Sequence, residues 1–278
     1  MSARAWKDEL DNFVRAFSGA YIFGVPLIFT MEMWWIGEFI GTWHLLTLLG
    51  VALAANIGLS YVAGFKREST FRTTIDEAID AVAVGVVGAA VMLTVLNQIR
   101  PDESPEAMLG KIALQAVPLS IGASVANQVF GTGREQRSRR GPDDGEPMTA
   151  RQAFLSDVGA TAIGGVFIGA SIAPTEEIPM IAAALSYSHL LAVVGFSLVV
   201  SYGIVFASGF DDQEAEGPFQ HPFTETMLAY AVSLLVSFAA LYLFGQISFD
   251  DPVLSIVEQV IVLGVPTTVG GAAGRLVV

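Results

Sequence analysis

The chain has 278 residues, 53% of them hydrophobic and 15% charged, with a mean hydropathy of +0.58 and a formal net charge of −13. Soluble domains carry roughly a quarter charged residues, so this composition excludes an ordinary soluble fold and indicates a polytopic membrane protein in contact with the lipid bilayer. The absence of cysteine excludes disulfides, thiolate metal sites and cysteine nucleophiles, and the acidic loops PDDGE and DDQEAE argue against a nucleic-acid partner.

The opening stretch MSARAWKDELDNFVRAFSGAYIFGVPLIF has a charged lead without a short apolar core and small-residue cleavage site, so its span is expected to be a retained anchor. Charges and turn residues then divide the apolar sequence into eight predicted transmembrane helices, near 13–35, 40–64, 75–99, 107–130, 153–174, 180–207, 224–247 and 253–275. The expected fold is all-α: a four-helix repeat over 1–130, a polar cytoplasmic linker over 131–151 and a second four-helix repeat over 152–278. With eight spans, twelve of the fourteen Lys and Arg residues fall on the side of the termini, Arg275 among them, and only Arg100 and Lys111 fall on the other. That asymmetry predicts a cytoplasmic-membrane protein with both termini cytoplasmic and Trp34, Trp35 and Trp43 at the outer interface.

The repeats are visible in the residues themselves. With a constant shift of 145, residues 17–65 match 162–210 at 13 of 49 positions, including Gly19 with Gly164, Thr30 with Thr175, Glu32 with Glu177 and His44 with His189. A shift of 148 then pairs Glu77 with Glu225, Gln98 with Gln246 and Pro118 with Pro266. A tandem duplication of four spans gives both repeats the same orientation, and a pseudo-twofold axis along the membrane normal is expected between them.

Ionisable and polar groups retained at membrane depth are candidate site residues, because charge there costs several kcal/mol unless it faces a partner or cavity. Thr30, Glu32 and His44, with Thr175, Glu177 and His189, form two candidate ion-binding or proton-relay clusters near the outer ends of their helices. Glu176 adds a second carboxylate beside Glu177. An imidazole beside a carboxylate can accept a proton or, with hydroxyl oxygens, hold a hard cation. The competing reading is that the glutamates and histidines only mark helix ends. Glu77 and Glu225 are candidate inner-gate residues, although a carboxylate at a helix start also complements the macrodipole. Pro118 and Pro266 are expected to kink the fourth and eighth spans and to free a backbone carbonyl. Asp76, Asp80 and Glu38 lack acidic counterparts in the other repeat, and Lys111, which pairs with Gln259 under the shift, has Glu258 as a candidate ionic partner.

The eight-span duplicated unit, with PLIFTMEMWW closing the first span and APTEEIP opening the sixth, resembles an uncharacterised family of predicted integral membrane proteins from prokaryotes. That resemblance implies a membrane fold and transfers no activity or catalytic residue. The segment GASIAPTEE is also similar to the Gly-x-Ser-x-Pro-Glu signature of calcium/cation antiporters, but Thr175 separates Pro174 from the first glutamate, and the repeats here are parallel where that family's are inverted. The expected function is a transporter or channel for a small inorganic cation or proton, without cofactor and without catalytic residues; a homo-oligomer is compatible with it. The alternatives are a membrane enzyme with a Glu/His metal site, to which His221 in a loop adds little, and a sensor or structural subunit. A retinal protein is disfavoured because no lysine lies deep in a span.

Overall fold

The computed structural model describes residues 3–64, 71–139, 150–207 and 222–276, and every regular element among them is helical. Two compact units divide the chain, Met1–Thr132 and Gly133–Val278. The first contains α1 (Ala3–Ile28), α2 (Met31–Phe39), α3 (Thr42–Gly64), α4 (Phe71–Val95) and most of α5 (Pro105–Arg139). The second contains α6 (Ala150–Ile172), α7 (Glu177–Ala184), α8 (Tyr187–Tyr202), which runs into a π-helical turn at Gly203–Ala207, α9 (Pro222–Leu243) and α10 (Val253–Arg275).

Seven of these helices are long and apolar enough to cross a membrane; α1 and α2 make an eighth if the pair, bent by 87°, counts as one broken span. The expected first span, 13–35, therefore merges two helices. Thr30 takes extended backbone (φ −91°, ψ 112°) and starts α2, while the chain before it already contains Pro26, which donates no backbone hydrogen bond. The expected sixth span, 180–207, likewise merges α7 with α8 across Ser186, which is extended at φ −82°, ψ 166°. Both breaks escape a hydropathy reading because the residues on either side are apolar. Of the expected linker at 131–151, residues 131–139 lie in α5 and 150–151 in α6. Residues 140–149 and 208–221, with His221, lie outside the described residues.

Element boundaries in the two units fall at equivalent positions. Under the shift of 145, Thr42 at the start of α3 corresponds to Tyr187 at the start of α8; under the shift of 148, Pro105 at the start of α5 corresponds to Val253 at the start of α10. The turns that end α4 and α9 also share their backbone. Asn97 (φ 55°) and Gly245 (φ 74°) are both left-handed, and the following amides reach back to close the helix, Gln98 to the Leu93 carbonyl at 2.8 Å and Gln246 to the Leu241 carbonyl at 2.9 Å. This is a helix C-terminus sealed by a left-handed residue.

Within each unit the first and last helices touch along small residues. In the second unit, a Cβ placed on Gly164 of α6 would lie 2.2 Å from the Gly270 carbonyl of α10, and one on Gly274 would lie 2.4 Å from the Ala160 carbonyl. In the first, a Cβ on Gly19 of α1 would lie 2.1 Å from Cβ of Ala126 on α5, and Gly24 sits against Leu119. Lipid tails compete equally for apolar side chains, so helices in a bilayer associate where small residues let backbones approach. The result places α10 at the centre of its unit, packed on α6, α7, α8 and α9. Its residues 262–272 are all buried.

Gly164→Val should therefore overpack this contact, costing about 1–3 kcal/mol and lowering the thermal midpoint of the detergent-solubilised protein. Gly195→Val, where a Cβ meets nothing within 4 Å, should leave it unchanged.

Candidate functional site

The duplicated threonines close helix ends. Thr30 Oγ1 donates to the Pro26 carbonyl at 3.1 Å, and Thr175 Oγ1 donates to the Ile172 carbonyl at 2.7 Å. Their amides reach the last turn as well, at 3.2 Å to the Leu27 carbonyl and 3.0 Å to the Ile172 carbonyl. These carbonyls lack an intrahelical partner because the helix stops there, and the threonine supplies one. Two residues on, Glu32 and Glu177 stand in the first turns of α2 and α7, where a carboxylate meets the positive end of the helix dipole. Glu176 is exposed and caps α7 through its backbone.

His44 and His189 occupy the first turns of α3 and α8. His189 Nδ1 lies 2.8 Å from the Ser186 hydroxyl, so it ties down the residue that caps α8. Glu32 and His44 are exposed, and their side chains form no hydrogen bond or ion pair with each other or with any other described residue. Among the described residues, no group of three His, Asp or Glu side chains is placed to hold a metal ion. Trp35 and Trp43 are exposed, but Trp34, expected beside them at the interface, is buried, and its indole N–H donates to the Ile28 carbonyl at 2.7 Å. It completes the capping of α1 at the bend.

The inner-gate pair splits. Glu77 is exposed, whereas Glu225 is buried and ion-paired with Arg275 at the end of α10. Asp157 of α6 stands 3.8 Å from the same guanidinium, and the ring of Phe206, in the π turn after α8, lies 5.8 Å from it. One buried arginine thus joins four segments of the second unit. The corresponding positions in the first unit are Asn12 and Asn127, so comparing repeats discards both Asp157 and Arg275. Lys111 was hidden in the same way. Its buried ammonium donates to Glu103 at 2.9 Å and to the Gln98 carbonyl at 3.2 Å, with Glu38 at 3.7 Å, so it is satisfied within its own unit and not by Glu258.

The helices continue through both prolines, and buried polar side chains gather beside them. Pro118 gives the Leu114 carbonyl no N–H, and Pro266 gives none to Val262. Two residues after Pro118, Ser120 Oγ donates to the Val117 carbonyl at 2.8 Å and accepts from Asn56 Nδ2 of α3 at 3.1 Å. Asn56 is fully buried, and its Oδ1 has no hydrogen-bond partner among the described residues. Gly85 of α4 lets that helix close on the same segment, since a Cβ there would lie 2.6 Å from the Ala116 carbonyl. In the second unit the equivalent positions are Thr268 and Ser201, both buried, and Thr268 Oγ1 is again without a partner. Nearby, Ser237 and Thr267 hydroxyls bond each other at 2.7 Å. Sequence comparison misses Asn56 because its counterpart is serine; polarity, not identity, is what the two units share there.

Replacing Glu225 by Gln should remove the nearest carboxylate from a buried guanidinium and cost about 3–5 kcal/mol, read as a large loss of thermal stability in detergent. Glu77→Gln, at an exposed position, should change stability by no more than about 0.5 kcal/mol.

Comparison with curated proteins and with solved structures finds no match. Among protein-family models, the one described as "Putative integral membrane protein (DUF2391)" matches residues 12–278, nearly the whole length, and the chain belongs to that family of integral membrane proteins.

Proposed function

We propose that the protein carries a small cation or protons across the cytoplasmic membrane, as a transporter or channel built from two same-sense repeats. One observation supports this above the others: beside each proline a buried side-chain oxygen, Asn56 Oδ1 near Pro118 and Thr268 Oγ1 near Pro266, is unpaired among the described residues. A polar atom held in an apolar surrounding without a hydrogen bond costs about 1–3 kcal/mol, and a water, proton carrier or hard cation that binds there offsets that cost. Asn56 Oδ1 and the Leu114 carbonyl left without an N–H by Pro118 are oxygen donors, the ligand type that hard cations prefer. The duplicated Thr-x-Glu elements and their histidines belong to the same proposal as the entrance. In this reading, Glu32 and Glu177 attract cations to the ends of the spans, while Thr30, Thr175, His44 and His189 hold the helix ends that present them. Glu225, held by Arg275, forms the gate at the cytoplasmic end, on the orientation given by the Lys and Arg distribution.

Purified protein reconstituted in liposomes should pass protons or an alkali cation. Asn56→Leu with Thr268→Val should reduce that flux by about tenfold or more while the protein still folds, since each change removes an oxygen worth about 1–3 kcal/mol. Glu32→Gln with Glu177→Gln should reduce it less, and less still at high salt, where screening weakens the entrance field. Undiminished flux in the Asn56 and Thr268 double variant would rule out the proline-side oxygens as the path.

A further inference from the structure

The turns at Asn97 and Gly245 share one backbone, and the buried lysine beside the first is a glutamine beside the second. After each left-handed residue the same hydrogen bonds recur: Glu103 N–H to the Arg100 carbonyl at 3.1 Å corresponds to Asp251 N–H to Ser248 at 3.2 Å, and Met108 to Ser104 at 3.1 Å corresponds to Ile256 to Pro252 at 3.2 Å. In the first unit this frame surrounds the Lys111 ammonium with the Glu103 carboxylate and the Gln98 carbonyl. In the second unit the equivalent residues are Gln259, Asp251 and Gln246. Gln259 is buried at 6% exposure, its amide nitrogen donates to the Ser255 hydroxyl at 3.3 Å, and its Oε1 has no partner among the described residues. Asp251 commits one oxygen, Oδ2, to the Ser248 N–H at 2.6 Å.

The first unit thus fills an all-oxygen frame with a tethered cation, and the second keeps the oxygens with no tethered cation. We infer that Gln259 Oε1, the Gln246 carbonyl and the Asp251 carboxylate bind a monovalent cation of potassium size at the position that Lys111 Nζ takes in the first unit. The glutamine side chain is shorter than lysine, so its oxygen stops short of the spot the ammonium reaches and leaves room for an ion. The charge fits a monovalent ion: the second carboxylate of the first unit, Glu38, is replaced by Ala183, leaving a single carboxylate in the frame. A divalent ion against a single carboxylate would leave an uncompensated positive charge in a buried frame. Potassium is close in size to an ammonium group and sodium is smaller. The site is a binding site read by stability, so it is independent of whether ions cross the membrane.

The test uses the full chain in detergent, with thermal midpoints measured in potassium, sodium and choline chloride at equal ionic strength. Saturating potassium should raise the midpoint by about 4 °C over choline, with sodium giving a smaller rise. Gln259→Leu should abolish the potassium effect, and Gln259→Lys should abolish it while matching or exceeding the wild-type midpoint in potassium, because the tethered ammonium replaces the ion. Equilibrium dialysis with radioactive rubidium should find one bound ion per chain in the wild type and none in Gln259→Leu, a comparison that holds even if Gln259→Lys folds poorly. Equal midpoints in the three salts, or rubidium retained by Gln259→Leu, would overturn the site.

Discussion

In each unit the first and last helices approach until backbone meets backbone, and the rest of the structure depends on that approach. A side chain larger than hydrogen at Gly164 or Gly270 would collide with the facing carbonyl. In a bilayer such small-residue contacts supply the packing that hydrophobic exclusion supplies in water. Because α10 is drawn against α6, it becomes the most enclosed helix of its unit, and whatever its sequence carries is held inside. Its proline and the hydroxyls of Thr267 and Thr268 are therefore surrounded by protein and not by lipid. In the first unit, Gly19 and Gly24 seat α5 against α1 in the same way, and Pro118 and Ser120 are held inward with Asn56.

Two kinds of polar residue follow from this frame. Those repeated between the units, Thr30 with Thr175 and Gln98 with Gln246, lie where helices stop, because duplicated helices have duplicated ends and each end exposes backbone groups that need partners. Those that differ between the units supply the buried cations of the ionic clusters, Arg275 opposite Asn127 and Lys111 opposite Gln259. Arg275 with Glu225 and Asp157 fastens one end of the second unit, and Lys111 with Glu103 and Glu38 fastens the other end of the first. Helix ends are thus closed in both units, while each buried cation is present in one unit alone.

Much of the helical plan was legible in the sequence. The last span, 253–275, follows directly from apolar length, whereas the expected seventh span, 224–247, ran through the left-handed turn at Gly245 that follows the end of α9 at Leu243. The bends at Thr30 and Ser186 were not legible, because hydropathy measures apolarity and is blind to a change of direction between apolar residues. Trp34 was misplaced for a related reason: an indole beside two other tryptophans reads as an interface residue, and only the bend brings the Ile28 carbonyl within its reach. Of the candidate site, Glu225 was found as a repeated carboxylate, but its partner Arg275 was assigned to the surface because a terminal arginine counts toward orientation. Asn56 and Gln259 were invisible to a search for identical or ionisable residues, since each meets a different residue in the other copy.

The proposed path requires water to reach the polar side chains beside the prolines, and the absence of native cysteine makes that access directly measurable. Single cysteines at Ser120 and Thr268 in the reconstituted protein can be exposed to a small, water-soluble cationic thiol reagent, with cysteines at the neighbouring apolar positions Leu119 and Val265 as controls. Cysteines at Ser120 and Thr268 should react from the aqueous phase and be protected by the permeant cation, while the controls stay inert. Equal, negligible labelling at all four positions would show that the proline-side oxygens are sealed in a dry core.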